Sequence, residues 1–390
     1  MSPSQLPGGQ LSTQDFAKSL NEFSLKFFKN TETSNKNVIC SPFSVAICLG
    51  MLLKGARGQT AAEIKTVTRF SNVSNDELIQ QRLHETLDEY RKTESENNNR
   101  NATVNIANRL LVAQNHNVSN EYKNYIANQY YAAVDEVDFA RNGEQIKQSV
   151  NDFVNRKTKG EIKSVLNQPL PANTIIYLLN TIYFKGNWKS AFNSSFTQKR
   201  KFYNHDQSEV DVDTMSATEI KLKYTKDYEK KVTVVELPYV GNLSMILLVP
   251  QERYGLSEVL QNLNSEETEN LIKSTYSSKI TLKMPKFKSE YDVDARNLLE
   301  QMGLTSAFTP AANFSGITNK VHVSKIDHKA VVKVDESGTV AAAITSVTLP
   351  IARPAPPLPT PVVIVDHPFA FIIRDQLSGI NIFYGVVNKF

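Results

Sequence analysis

The sequence contains no long uninterrupted apolar segment and no obvious linker. In 390 residues, no run approaches the roughly eighteen apolar residues that a transmembrane helix requires, so we expect no membrane span. No Gly/Ser-rich stretch or sharp change in composition divides the chain. The apolar fraction of 41% and the charged fraction of 22% are ordinary for a globular protein. These absences predict one large soluble domain that spans residues 1–390.

Cysteine is scarce, which bears on crosslinking. Only Cys40 and Cys48 are present, in a segment that the sequence predicts to be a buried helix. Two helical turns would separate them by about 12 Å, too far for a disulfide. We therefore expect two free, buried thiols, which say little about the redox environment of the protein.

The local motifs of common enzyme classes are missing. The chain has no G-x-S-x-G, H-E-x-x-H, C-x-x-C, P-loop or G-x-G-x-x-G motif. Its six histidines show no metal-ligand spacing among themselves or with the cysteines. Serine and aspartate are plentiful, so a catalytic triad dispersed along the chain stays open. The sequence favours a protein that is not an enzyme and that needs no metal and no cofactor.

A large excess of one charge sign is also missing. Lysine and arginine number 44 against 40 for aspartate and glutamate, a formal net charge of +4. The run Lys199–Lys201 is predicted to be a solvated strand or loop end. The segment 77–92 mixes both signs of charge, so it makes no basic stripe for heparin. We expect no nucleic-acid partner and no membrane partner.

Six N-x-[ST] sequons bear on the compartment in which the protein acts. Their asparagines are Asn72, Asn101, Asn117, Asn193, Asn242 and Asn313. The first residues, Met1–Gly9, lack the apolar core of a signal peptide. The sequence therefore represents either a mature form with an added Met or an intracellular protein. The number of sequons favours a secreted, extracellular glycoprotein.

Helical patterns dominate the first 170 residues and strand patterns the rest, which predicts an α+β fold rather than a βαβ repeat. Apolar spacing predicts helices from the Ser12 cap to Phe28, from Pro42 to the break at Gly55–Gly58, and over 77–91, 121–131 and 143–166. Alternating or β-branched runs predict strands at Ala132–Phe139, Thr174–Phe184, Lys221–Tyr224, Lys231–Leu237, Ser244–Val249, Lys279–Met284 and Val362–Val365.

The most informative segment begins at Asp335. A run of small residues, Gly338–Ala343, is followed by five prolines within Pro354–Pro361. A connection this long inside a compact domain is usually functional or disordered. Its first half has the composition of a potential strand. Its second half cannot join a central strand, because proline has no amide hydrogen to donate.

Short motifs spread along nearly the whole chain resemble those of the serpins, a family of protease inhibitors. In chain order they are Ser41–Ser44 (SPFS), Gly58–Thr60 with Glu63-Ile64, Asn180–Trp188 (NTIYFKGNW), Glu236–Tyr239 (ELPY), Ser244–Pro250 (SMILLVP), Met284–Phe287 (MPKF), Phe314–Ile317 (FSGI), His328–Val331 (HKAV) and Asp366–Phe369 (DHPF). Each motif is weak alone, but their order and spacing make the match specific. The resemblance implies a serpin fold with three β-sheets and about nine helices. It also implies a monomer with an exposed reactive-centre loop at about 337–361.

The resemblance further implies a mechanism, in which the protease cuts the loop and the loop then inserts into the central sheet as a new strand. The hinge where insertion begins would comprise Glu336, Gly338, Thr339, Ala341, Ala342 and Ala343. Alternate residues of a strand share a face. One face of the inserted strand would carry Thr339, Ala341, Ala343, Thr345, Val347 and Leu349, and the other Val340, Ala342, Ile344, Ser346, Thr348 and Pro350.

The bond that the protease cuts follows from a fixed offset after the hinge in the family. Counted from Glu336, it lies between Ala352 and Arg353, and a small Ala352 favours an elastase-like serine protease. A trypsin-like target that uses Arg353 is the alternative, although Pro354 disfavours cleavage there. A non-inhibitory serpin that acts as a carrier, chaperone or protease substrate is a second alternative. A docking role of the Pro-rich segment for SH3-like or WW-like domains is a third.

Two groups of support residues also follow from the resemblance. The shutter cluster, which controls opening of the central sheet, would comprise Ser41, Ser44, Asn180 and His328. The breach cluster, at the top of the sheet where the loop enters, would comprise Trp188, Lys286 and Glu336. We expect His328 to be a core residue with satisfied hydrogen bonds rather than a catalyst.

Overall fold

A computed structural model describes residues 11–33, 35–95, 102–337 and 359–390. These residues contain nine α-helices: α1 (Thr13–Lys29), α2 (Pro42–Gly55), α3 (Gly58–Val67), α4 (Asp76–Ser95), α5 (Asn120–Tyr130), α6 (Gly143–Lys157), α7 (Leu256–Asn262), α8 (Ser265–Lys273) and α9 (Ala295–Met302). No helix in this part of the chain is long and apolar enough to cross a membrane.

The same residues contain fourteen strands. They are β1 (Val38–Cys40), β2 (Thr103–Ala113), β3 (Ala133–Val137), β4 (Ile176–Lys185), β5 (Gln198–Tyr203), β6 (Glu209–Asp227), β7 (Val232–Pro238), β8 (Leu243–Pro250), β9 (Tyr276–Pro285), β10 (Phe287–Asp294), β11 (Val323–Val334), β12 (Val362–Ile364), β13 (Phe369–Asp375) and β14 (Asn381–Val387). The mixture confirms the predicted α+β class.

Hydrogen bonding groups the strands into two networks. A five-stranded sheet has the order β10-β11-β4-β2-β3, and a nine-stranded network has the order β1-β14-β13-β8-β7-β6-β9-β12 with β5 paired to β6. The sequence resemblance implied three sheets. The structure shows two networks because the long strand β6 continues from one group of strands into another, with a register shift between Ala217 and Ile220.

The five-stranded sheet separates two apolar layers, as the period of two along its strands requires. On β4, Ile176 and Leu178 contact the main core, which also contains the buried helix α2. The alternate residues Tyr177 and Leu179 belong to a second cluster with Val150 and other side chains of α6. Helix α6 therefore covers the outer face of this sheet, and the main core fills its inner face.

Two local predictions are wrong. The helix predicted over 143–166 ends at Lys157, since the buried Thr158 side chain bonds back to Val154 O and Lys159 and Gly160 have φ values of 53° and 85°. Cys40 lies on β1 rather than in a helix. Both cysteines are nevertheless free and buried, as predicted.

Candidate functional site

The centre of the five-stranded sheet contains a parallel strand pair, β4 and β11. Their residues pair from Ile176 opposite Val323 to Phe184 opposite Val332, with a register shift between Val323 and Lys325, and His328 lies opposite Asn180. We call the boundary between these two strands the seam. The outer neighbours of these two strands pair with them antiparallel. Because β4 and β11 run parallel, a further strand between them could pair antiparallel to both; β2 and β3, at the edge of the same sheet, are also parallel.

The four predicted shutter residues come together on the inner face of the seam. His328 Nδ1 lies 2.5 Å from Asn180 Oδ1, and the Ser44 hydroxyl donates to the same oxygen at 2.7 Å. The backbone amide of Ser41 donates to His328 Nε2 at 3.0 Å. All four side chains are at most 1% exposed, so these hydrogen bonds form without competition from water.

The start of α2 positions the two serines. Ser41 is the N-cap, its Oγ accepts from Ser44 N at 3.2 Å, and Pro42 follows in the first turn, where its missing amide is tolerated. The same hydroxyl donates to Ile382 O of β14 at 2.7 Å. The helix terminus is thereby fixed to the second network of strands and directly under the seam.

The contacts determine the protonation state of His328. Because its Nε2 accepts from a backbone amide, the proton of the neutral ring is on Nδ1 and is donated to Asn180. Complete burial lowers the pKa of His328 to about 3. The ring is therefore neutral at physiological pH, in agreement with the expected structural role.

Sequence reasoning missed Asn108, a fifth member of this cluster. Asn180 Nδ2 donates to Asn108 Oδ1 at 2.6 Å, and Cys48 Sγ lies 3.4 Å from the same oxygen. Asn108 stands opposite Asn180 in the pairing of β2 with β4. Strand β2 was not among the predicted strands. Alternation along Val104–Val112 would have revealed an amide on an otherwise apolar face.

The three predicted breach residues lie close together at the end of β11, where Lys286 contacts Glu336 and Trp188 bonds the residues on either side of Glu336. Lys286 Nζ and Glu336 Oε2 form an ion pair of 2.8 Å, and the Thr197 hydroxyl donates to the other carboxylate oxygen at 2.7 Å. Partial burial acts to raise the pKa of Glu336, but the bonds from Lys286 and Thr197 outweigh it and the pKa is lowered. The hydrogen bond to Glu336 in turn raises the pKa of Lys286.

Trp188 holds the chain where it leaves β11. Its indole N–H donates to Asp335 O at 2.8 Å and its backbone amide to Ser337 O at 3.1 Å. The ring is stacked on Tyr239 with centroids 4.3 Å apart and is 3% exposed. The start of the predicted loop is therefore anchored beside the end of the seam at Phe184 and Val332, which we call its upper end.

Several predicted residues lie outside the described part of the chain. They are Gly338, Thr339, Ala341, Ala342 and Ala343 of the hinge, Ala352 and Arg353 of the reactive bond, and the sequon residue Asn101. Beyond them the chain is described again from Pro359, and Pro361 O accepts from Thr281 N at 2.8 Å. Strand β12 then pairs in parallel with β9.

The remaining candidate features lie on the surface. The side chains of the other sequon asparagines are exposed, namely Asn72, Asn117, Asn193, Asn242 and Asn313. Lys199 and Lys201 are on β5 and pair with acidic residues of β6, the shortest of these pairs being Lys199–Asp213 at 3.1 Å. Within the described ranges, no group of three or more His, Cys, Asp or Glu side chains is placed to hold a metal ion.

Comparison with known proteins gives matches along nearly the whole chain. A family model described as Serpin (serine protease inhibitor) matches residues 18–390. Iripin-2 of Ixodes ricinus is 37% identical over 378 residues, which are 95% of this chain and 93% of Iripin-2. Intracellular coagulation inhibitor 2 of Tachypleus tridentatus is 33% identical over 97% of this chain and 92% of its own length.

The fold has equally extensive similarity to solved structures. The crystal structure of uncleaved ovalbumin superposes with a TM-score of 0.85 at 25% identity, over 96% of this chain and 100% of the ovalbumin chain. The sequence and structure matches agree with each other and confirm the resemblance predicted from the motifs.

Proposed function

This chain belongs to the serpin family, and from that premise we propose that it inhibits serine proteases as a suicide substrate. The protease serine hydroxyl attacks the carbonyl carbon of Ala352, the bond to Arg353 breaks, and Arg353 leaves as a new amino terminus. An ester then joins Ala352 to the protease. Residues 338–351 then insert into the seam and carry the attached protease away from the position where it bound the loop. Inhibition requires this insertion to be faster than hydrolysis of the ester by water.

The observation that carries this proposal is the parallel pairing of β4 with β11 directly below the start of the loop. A strand that enters between two parallel strands, antiparallel to both, gains two complete hydrogen-bond ladders in place of one parallel ladder. The chain leaves β11 at the upper end of this seam, held there by Trp188. The segment that follows begins with small residues, which suits entry beneath α6.

The two polar clusters receive roles in this proposal. The shutter cluster keeps the middle of the seam closed, and Asn108 acts with its four predicted members. The breach cluster keeps the upper end closed until the hinge enters. The stretch 338–345 contains no charged residue and no proline, which supports inhibition over the non-inhibitory alternative, because a charged side chain there would have to be buried without a partner.

For the target we propose an elastase-like protease that accepts Ala352, with a trypsin-like protease at Arg353 as the alternative. We further propose a monomer of one domain, residues 1–390, that is secreted and glycosylated. The exposed asparagines of five sequons support this compartment. One relative is named an intracellular coagulation inhibitor, so the compartment needs its own test, by glycosidase digestion of the protein from its natural source.

The test of function is incubation with elastase, chymotrypsin and trypsin, followed by denaturing gels and the mass of the released C-terminal peptide. We expect a complex that survives boiling, with a peptide that starts at Arg353. A complex with another peptide would retain the mechanism and change the reactive bond. Cleavage without any complex would refute inhibition of these proteases and favour the non-inhibitory alternative.

A further inference from the structure

A cavity of about 510 Å³ lies at the C-terminal end of α1. Its walls come from the end of α1, from α7, and from the chain just before β13 and just after β14. None of the residues that line it belongs to β4, to β11, or to the shutter or breach cluster. Its volume is in the range of sites that bind small molecules, and the proposed function gives it no role.

The floor of this cavity is apolar. Phe28 of α1 and Leu256 of α7 are at most 5% exposed, and Leu260 and Pro368 lie beside them in the lining. The exposed ring of Tyr254 adds apolar surface at the rim. Covering this surface with hydrocarbon would remove it from water, which is favourable. The cavity therefore suits a ligand with an apolar body.

A cation is held at the polar side of the cavity. Of the described residues that line it, Lys29 is the only lysine or arginine. Its Nζ donates to the carbonyl oxygens of Gln261 at 3.2 Å and Leu263 at 2.5 Å, at the end of α7. These two bonds fix the position of the ammonium group and leave one of its three hydrogens for another acceptor.

This cation has no carboxylate partner of its own among the described residues. Glu32, the only acidic residue in the described lining, is paired with Lys36 at 3.1 Å. Partial burial lowers the pKa of Lys29, and the more distant carboxylate of Glu267 offsets this only in part. An anionic group in the cavity would supply the missing partner.

We propose that this cavity binds a small carboxylic acid with an aliphatic body, its carboxylate at Lys29 and its tail on the apolar floor. The one free ammonium hydrogen matches a single carboxylate oxygen. A phosphate group, with more charge and more acceptor oxygens, would need further donors. Binding at this cavity does not involve the loop or the seam, so the proposal is independent of protease inhibition.

The site can be tested by isothermal titration calorimetry of the intact protein with octanoate, decanoate and dodecanoate. We expect saturable binding of one molecule per chain. Each added CH₂ should raise the affinity by up to about fourfold while the tail still fits the apolar floor. Absence of saturable binding, or an affinity that does not depend on tail length, would overturn the proposal.

Lys29→Gln tests the position of the carboxylate. The variant should bind octanoate roughly three- to tenfold more weakly than wild type, whereas its affinity for uncharged 1-octanol should stay within about twofold of the wild-type value. Lys26→Gln is the matched control, because Lys26 is on the same last turn of α1 but does not line the cavity. Equal losses for the two variants would overturn the assignment of the carboxylate to Lys29.

Ser257→Trp tests the cavity itself. Ser257 is exposed on α7 and lines the cavity, so the indole should occupy ligand space while the denaturant midpoint stays close to that of wild type. We expect the variant to bind none of the three acids. Unchanged decanoate binding would place the ligand elsewhere and overturn the proposal. Protease trapping by the same variant should be unchanged, which separates this site from the proposed function.

Discussion

At the upper end of the seam an ion pair faces solvent on one side, whereas in its middle a neutral hydrogen-bonded cluster is sealed from water. The side chains of Lys286 and Glu336 are 36% and 16% exposed, but Asn180 and His328 are at most 1% exposed. Exposed ion pairs contribute little and are screened by salt, and buried hydrogen bonds are expensive to lose. Under the proposed function, we therefore expect the seam to open from its upper end and its middle to set the larger barrier.

The largest expected loss of stability follows from removing Asn180, the side chain that bonds most of the shutter cluster. Asn180→Ala would leave His328 Nδ1–H and the Ser44 hydroxyl without their common acceptor, and Asn108 Oδ1 with only the long contact to Cys48. We expect the free energy of unfolding to fall by roughly 3–5 kcal/mol, measured by guanidinium denaturation.

Thr181→Val on the same strand is the control for this substitution. Thr181 is equally buried, but its hydroxyl makes one long contact of 3.4 Å, to Ala107 O. We expect a loss below about 1 kcal/mol. If Asn180→Ala lost no more unfolding free energy than this control, the shutter cluster would not be the main stabilising contact of the seam.

The pH dependence of stability should distinguish the shutter cluster from the breach cluster, and this is the next largest expected effect. The lowered pKa of His328, about 3, lies below its unfolded value of about 6.5, so the stability from the neutral ring is complete above pH 6.5 and is lost as pH falls. The slope is about 1.4 kcal/mol per pH unit between pH 6 and 4. Glu336 also has a lowered pKa, so its contribution is present above its unfolded value of about 4.3 and is lost only at lower pH.

The measurement compares denaturant midpoints of wild type and His328→Asn at pH 7.5, 6.5 and 5.5. The variant should show a flatter loss of stability over this window, whatever its stability at pH 7.5. Parallel curves would contradict the assignment, because the other histidines are present in both proteins.

The smallest expected loss of stability comes from breaking the Lys286–Glu336 ion pair at the upper end of the seam. Glu336→Lys replaces the ion pair by a like-charge contact with Lys286, and we expect a loss of about 1–2 kcal/mol with polymer formation on warming. The double variant Glu336→Lys with Lys286→Glu should recover most of the monomer, and salt should reduce the difference.

Glu209→Lys is the matched control for this charge reversal. Glu209 is exposed, lies 3.8 Å from Lys201 and is away from the seam. Size-exclusion chromatography after warming should show monomer for Glu209→Lys. Normal monomer yield and stability for Glu336→Lys would show that the breach cluster does not keep the upper end of the seam closed.

The sequence alone predicted the α+β fold. It also predicted which residues form the shutter and breach clusters, because these residues lie within short motifs that resemble those of the family, although the motifs are far apart in the chain. It missed Asn108 because an asparagine within an unassigned strand has no local motif. Its role depends on lying opposite Asn180, which only strand pairing reveals.

The cavity at the end of α1 was missed for a related reason. Its lining comes from segments as far apart in the chain as Phe28 and Asn388, and no local pattern connects them. Helix α6 was predicted too long, since a left-handed turn at Lys159 and Gly160 leaves only a weak signal in an otherwise helical pattern.

The proposed function requires that the cut loop becomes a strand between β4 and β11. It is tested most directly by cleaving the chain once within residues 338–358 with a protease that is not trapped, and then comparing cleaved and intact protein. We expect a much higher denaturant midpoint and slower amide exchange in β4 and β11 after cleavage. An unchanged midpoint, with unchanged exchange in these two strands, would contradict it.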